Sequence, residues 1–140
     1  MIYHILTPNS WEQALDREVY EHPSLLAEGF IHCSTRAQVL ATARLHFAQE
    51  QELVVLHIVE RRVKPILKFE PSRNGELFPH LYGKLEFAAI EDLSLLVRDD
   101  EGRWVWDLGR ELITDPEAVD KGVLTDASPE LQQPEPEPEV

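Results

Sequence analysis

Three short segments of this chain concentrate side chains that can move protons, hold anions or stack on rings. They are Tyr3-His4, EGFIHCST from Glu28 to Thr35, and FPHLYG from Phe78 to Gly83, joined by Glu70 at the end of the run ILKFE. His32, Cys33, Ser34 and Thr35 fall where a short apolar strand runs into a helix start. Free backbone amides and the helix dipole at such a junction attract phosphate or carboxylate, and the hydroxyls of Ser34 and Thr35 can add donors. The plainer role of both hydroxyls is to cap the helix. Cys33 beside His32 suggests a thiol nucleophile with its base, but successive strand residues point to opposite faces. A buried, inert thiol fits better. His32 then shares a face with Ser34 and is the stronger site candidate.

FPHLYG places two aromatics, a histidine, a proline and a glycine in six positions. Such a segment can present His80 and the Tyr82 phenol to a ligand while its apolar members pack beneath; the ordinary alternative is an aromatic edge strand that bends at Gly83. His4 lies inside an apolar strand, where an imidazole needs a hydrogen-bond partner, so a satisfied core histidine is its ordinary role. Glu70 is a carboxylate at a strand end, a place where solvated acids outnumber catalytic ones. His46 and His57 have no polar company in sequence and read as structural.

Several chemistries lack their motifs. There is no HExxH or HxH, so a metal site would require the separated His4, His32 and His80 to meet, and none is expected. Walker, GxGxxG and GxSxG patterns are also absent. Cys33 is the only cysteine, which removes intrachain disulfides and suits a reducing compartment. No apolar run approaches the roughly 20 residues that cross a bilayer, and no basic region with an apolar stretch opens the chain. A cytoplasmic protein without membrane contact is expected. The net charge of −13 disfavours nucleic acid phosphates as partners, although a locally basic pocket could hold a small anion.

The 140 residues suit one domain, expected over residues 1–110. Residues 111–140 carry nine acids against Lys121 and end in PEPEPEV, a composition expected to stay disordered. Ile2 to Leu6 reads as a buried strand ended by Thr7-Pro8. Ser10 with Gln13 has the spacing of a capping box, and Trp11 and Leu15 would face the core together. Phe30 to Cys33 reads as a strand. Thr35 with Gln38 repeats the capping box ahead of a helix whose apolar stripe is Val39, Leu40, Ala43, Leu45 and Phe47. Leu53 to Val59 is apolar almost throughout, as a strand buried on both faces requires. Ile66 to Phe69, Leu85 to Ile90 and Leu95 to Val97 read as further strands, with Asp99 to Gly102 turning into Arg103 to Trp106. The fold class is therefore α+β, with a mixed, mainly antiparallel curved sheet and two or three helices.

YHI at residues 3 to 5, EGFIHCST, Phe69-Glu70 and FPHLYG, in this order, resemble the domain-of-unknown-function family 952 over approximately residues 1 to 108. That resemblance implies a fold similar to the ADP-ribosyltransferase superfamily, a split and strongly curved β architecture with a nicotinamide dinucleotide cleft. GFIHCST is also similar to the HVHLS-type stretch of RNA 2′-phosphotransferases, and His4 matches a first-strand histidine position. On this resemblance Glu70, His32 and His80 are the candidate catalytic residues, and Tyr3, His4, Ser34, Thr35, Phe78 and Tyr82 the candidate ligand contacts. The implied ligand is a small-molecule nucleotide, NAD as substrate or ligand. The implied activity is an NAD-using transferase or glycohydrolase, with ADP-ribosyl or phosphoryl transfer. The alternative is a noncatalytic small-ligand or protein-binding module. It draws support from the lack of an alignable middle-strand tyrosine and late glutamate of the His-Tyr-Glu type.

Overall fold

The computed structural model describes residues 1–17 and 19–119. Ten strands and three α-helices alternate as β1 (Ile2–Leu6), α1 (Pro8–Leu15), β2 (Val19–Tyr20), α2 (Pro23–Glu28), β3 (Ile31–His32), α3 (Val39–His46) and β4 (Glu52–Ile58). The remaining strands are β5 (Leu67–Pro71), β6 (Leu77–Leu81), β7 (Leu85–Glu86), β8 (Ile90–Arg98), β9 (Arg103–Asp107) and β10 (Leu112–Ala118). A five-stranded sheet runs β1-β4-β8-β9-β10, a three-stranded sheet runs β3-β6-β5, and β2 pairs with β7. Every registered strand pair is antiparallel. The α+β class expected from sequence is what the chain adopts.

Side-chain alternation divides the core between the two faces of the large sheet. Ile2, Leu6, Val54, Leu56 and Ile58 pack on one face with Ala14, Ile31, Leu81 and Leu85. Tyr3, Ile5, Leu53 and Val55 pack on the other with Val39, Ala43, Phe47, Trp104 and Trp106. This two-sided burial is why Leu53 to Val59 carries so few polar residues.

Local signals were right in kind and off in detail. Thr7, not Ser10, caps α1: its Oγ1 accepts the Ser10 N–H at 3.2 Å, and Pro8 occupies the first turn where no amide is needed. Trp11 packs against the core, but Leu15 is 48% exposed, because α1 ends there before another turn can bury it. Leu45 is likewise exposed, while Val39, Ala43 and Phe47 form the buried stripe. Leu85 to Ile90 is not one strand, since a 3₁₀ turn at Phe87–Ala89 separates β7 from β8. FPHLYG is not at an edge: β6 lies between β3 and β5. Pro79 fits there because its carbonyl still accepts the Cys33 N–H at 2.9 Å, and only its missing donor is lost to the ladder.

The largest departure lies at the C-terminal end. β10 falls inside the stretch expected to be disordered, paired with β9 through Leu112↔Asp107, Ile113↔Trp106 and Thr114↔Val105. Asp115 is buried and grips Arg44 of α3 with both oxygens, at 2.7 and 2.6 Å from Nη1. Charge density hid a strand whose acid has a partner. The rest of the expected tail, residues 120–140, lies outside the described residues.

Candidate functional site

β3 and β6 bring His32 and His80 together as direct register partners, with ring centroids 5.3 Å apart. Residues opposite each other in a ladder share a face. His32, His80 and Lys68 of β5 therefore project to the same side, as do Phe78 and its partner Glu70. α2 ends at Gly29, whose φ of +89° turns the chain so that Phe30 and the strand behind it can enter the sheet. The Phe30 ring stacks on His80 at 4.1 Å with a 19° tilt.

Each of the two histidines has a carboxylate behind it. Glu28 lies 2.5 Å from His32 Nε2. Glu70 Oε1 lies 2.8 Å from His80 Nδ1 and also accepts the Tyr82 hydroxyl at 2.6 Å. A carboxylate only accepts, so His32 Nε2 and His80 Nδ1 carry the shared protons, and whenever a ring is neutral its opposite nitrogen is an acceptor. His80 is 4% exposed, and its buried Nε2 has no hydrogen-bond partner. Such an orphaned buried atom is costly unless a ligand completes it. Burial lowers the His32 pKa and His80 adds to that, while the Glu28 contact opposes both. The hydroxyl of Tyr82 and then His80 hold the Glu70 carboxyl below the usual carboxylate range, and Glu70 in turn raises the Tyr82 phenol.

His4 supports this pair from beneath. It is fully buried, with both ring nitrogens engaged inside the protein. Its Nδ1–H donates to the His32 carbonyl at 2.6 Å, which leaves Nε2 to accept the Tyr20 hydroxyl at 3.1 Å. Burial pushes its pKa down to about 4. His22, which no sequence motif singled out, faces His4 edge-on at 5.4 Å and caps α2 by accepting the Ser24 N–H. Burial and the charge of His4 lower it to about 2.

At the expected helix-start anion site the Ser34 and Thr35 amides are engaged within the protein. Ser34 N–H donates to the Tyr3 carbonyl at 2.7 Å, and Thr35 N–H donates to Gln38 Oε1 at 3.0 Å. Ser34 is fully buried, with Oγ 3.2 Å from Thr42 Oγ1. Thr35 and Gln38 form the capping box, while the Ser34 hydroxyl is spent on Thr42. Tyr3 is buried edge-on against Trp106 and His57 and is a core residue rather than a ligand contact. Phe78 is buried beneath the Arg73 guanidinium at 4.8 Å, and Tyr82 is partly exposed with Lys68 5.0 Å over its ring.

Sequence reading missed the roles of Glu28, Phe30, His22, Thr42 and Arg73. Only Glu28 left a signal, its four-residue spacing from His32; the others depend on chain segments that meet through the fold. Cys33 is as expected: buried, on the face away from His32, with burial pushing its thiol pKa well upward. Thiol-specific labelling of the native protein should proceed only as fast as the chain unfolds. Rapid labelling under native conditions would contradict the burial. Among the described residues, no group of three or more His, Cys, Asp or Glu side chains is arranged to hold a metal ion. No helix among them is long and apolar enough to cross a membrane.

Residues 5–93 match the family described as "Protein of unknown function (DUF952)". The crystal structure of protein CC0527 from Caulobacter crescentus is 35% identical, with a TM-score of 0.68 over 78% of this chain and 95% of that one. Its solution NMR structure, also at 35% identity, gives 0.64 over 72% and 88%. No curated protein matches the chain. With well over half of its length matched and its fold shared with CC0527, the chain belongs to the DUF952 family.

Proposed function

We propose that this chain binds a nucleotide of the nicotinamide dinucleotide class in an ADP-ribosyltransferase-like cleft and transfers a group from it by general-base chemistry at His80, with His32 beside it. The observation that carries this reading is the buried, unpartnered His80 Nε2, set by a carboxylate behind Nδ1 and flanked by a second carboxylate-bound histidine. A carboxylate-oriented neutral imidazole is the usual general base for a hydroxyl. In the transfer, His80 Nε2 takes the proton of an acceptor hydroxyl as its oxygen bonds to the sugar C1′. The C1′–nicotinamide bond breaks, and its electron pair leaves with nicotinamide. Glu70 stabilises the imidazolium that forms until its proton passes to solvent, and Glu28 holds the His32 ring in place beside it.

Incubating the protein with intact dinucleotide and with its hydrolysis products, followed by product analysis, tests the reading. Nicotinamide release is expected, and His80→Gln should slow it about 100-fold. Failure of the intact dinucleotide to bind, or turnover indifferent to His80→Gln, would overturn the proposal.

A further inference from the structure

Arg73 stands beside this site with no assigned role. It belongs to the short turn Arg73–Gly75 between β5 and β6, where Asn74 at φ +58° folds the chain back towards the sheet. The guanidinium lies 4.8 Å above the Phe78 ring, and Nη2 is 3.4 Å from Thr42 Oγ1, the hydroxyl that also meets Ser34 Oγ. Arg44, Arg103 and Arg36 hold carboxylates, on Asp115, Asp99 and Glu111, while Arg62 and Arg98 donate to the Ala88 and Ala48 carbonyls. Arg73 forms no ion pair with a carboxylate among the described residues. Burial lowers its pKa, Glu76 opposes that at longer range, and Arg44 adds to it.

A half-buried guanidinium seated on an aromatic ring keeps its remaining N–H donors in a fixed fork suited to phosphate. Phe78 and His80 are two residues apart on β6 and so project from the same face about 6.6 Å apart. The guanidinium over Phe78 therefore stands next to His80 along one face of the strand. The geometry points to Arg73 as the phosphate anchor of the site, gripping a nucleotide phosphate while a ribose or acceptor hydroxyl meets His80 Nε2. This deepens, and rests on, the nucleotide reading above. It also moves the anion contact from the helix start, where the Ser34 and Thr35 amides are engaged, to the β5–β6 turn.

Calorimetric titration of the full chain with AMP, adenosine and inorganic pyrophosphate reads the anchor apart from turnover. In the wild type, AMP should bind at least about tenfold more tightly than adenosine, with the difference shrinking as salt rises. Arg73→Gln should remove the difference and leave adenosine binding unchanged. Arg73→Lys, which keeps the charge without the planar fork, should retain part of it and guards against a folding defect in the glutamine variant. Discrimination that survives in Arg73→Gln would overturn the anchor, and so would equal binding of AMP and adenosine by the wild type. Phosphate-dependent binding that requires Arg73, found without nicotinamide release, would support the anchor while sinking the transferase reading. Absence of binding by all three probes would sink both.

Discussion

Asp115→Ala lowers the unfolding free energy by about 3–5 kcal/mol, the range for breaking one side of a buried ion pair. Asp115 is 1% exposed and accepts both short contacts from Arg44 Nη1, together with the Glu117 N–H at 3.1 Å. Truncation leaves the Arg44 guanidinium, itself largely buried, facing a void. Its remaining acid, Glu117, sits 3.7 Å away and is well exposed, so it compensates little. The pair also fastens β10 to α3, so its loss should expose β10 to hydrogen exchange before the rest of the sheet. Equilibrium denaturation of Asp115→Ala, Glu117→Ala and the double variant Arg44→Met/Asp115→Leu separates the terms. Glu117→Ala should cost less than about 1 kcal/mol, as exposed pairs do. The apolar double variant should recover most of the loss, since neither charge then remains buried. An Asp115→Ala protein as stable as the wild type would show that β10 contributes nothing to the fold.

Stability should also fall as the solution becomes acidic, beginning well above the carboxylate range. Native His4 stays neutral down to about pH 4, whereas in the unfolded chain it takes up a proton near its ordinary value of 6.5. Between those limits the unfolded state binds more protons, so the stabilisation is complete above 6.5 and is lost as pH falls towards 4. The gap corresponds to roughly 3 kcal/mol in full, of which roughly 2 kcal/mol should be gone by pH 5. His22, lowered to about 2, adds a like slope over this interval and carries the trend further down. Denaturant titrations at pH 7.5 and pH 5 measure the slope. His4→Gln should begin less stable at pH 7.5, having lost the Tyr20 and His32 contacts, but should change less between the two pH values. A wild-type stability that is flat over this interval would mean that His4 is already protonated in the fold.

Much of the framework was legible in the residues. Apolar continuity marked β4, because a strand buried on both faces tolerates few polar side chains. Alternation also put Cys33 and His32 on opposite faces, as strand geometry requires. Element limits were less legible. Thr7 displaced Ser10 as the cap of α1 because Pro8 suits the first turn, and sequence spacing alone could not rank two hydroxyls three residues apart. β10 was hidden because acidity is a composition signal, blind to Arg44 waiting 71 residues away in sequence.

The candidate site shows the same division more sharply. By itself the sequence determined which groups were available: imidazoles at His32 and His80, acids at Glu28 and Glu70, a phenol at Tyr82, and a strand too apolar to hold His4 without partners. Tertiary structure decided which of them meet. His32 opposes His80 only through the β3–β6 register, and Glu70 reaches His80 and Tyr82 only because β5 and β6 pair. It also sent Tyr3 and His4 inward, since a first strand sandwiched between two core faces leaves its alternating side chains no route to solvent, and Ser34 with them through its bridge to Tyr3. Residue type and local period are properties of neighbouring positions, whereas a site requires atoms a few ångströms apart that lie many residues apart along the chain. Pairing register and burial set those distances, and both arise only when the sheets assemble.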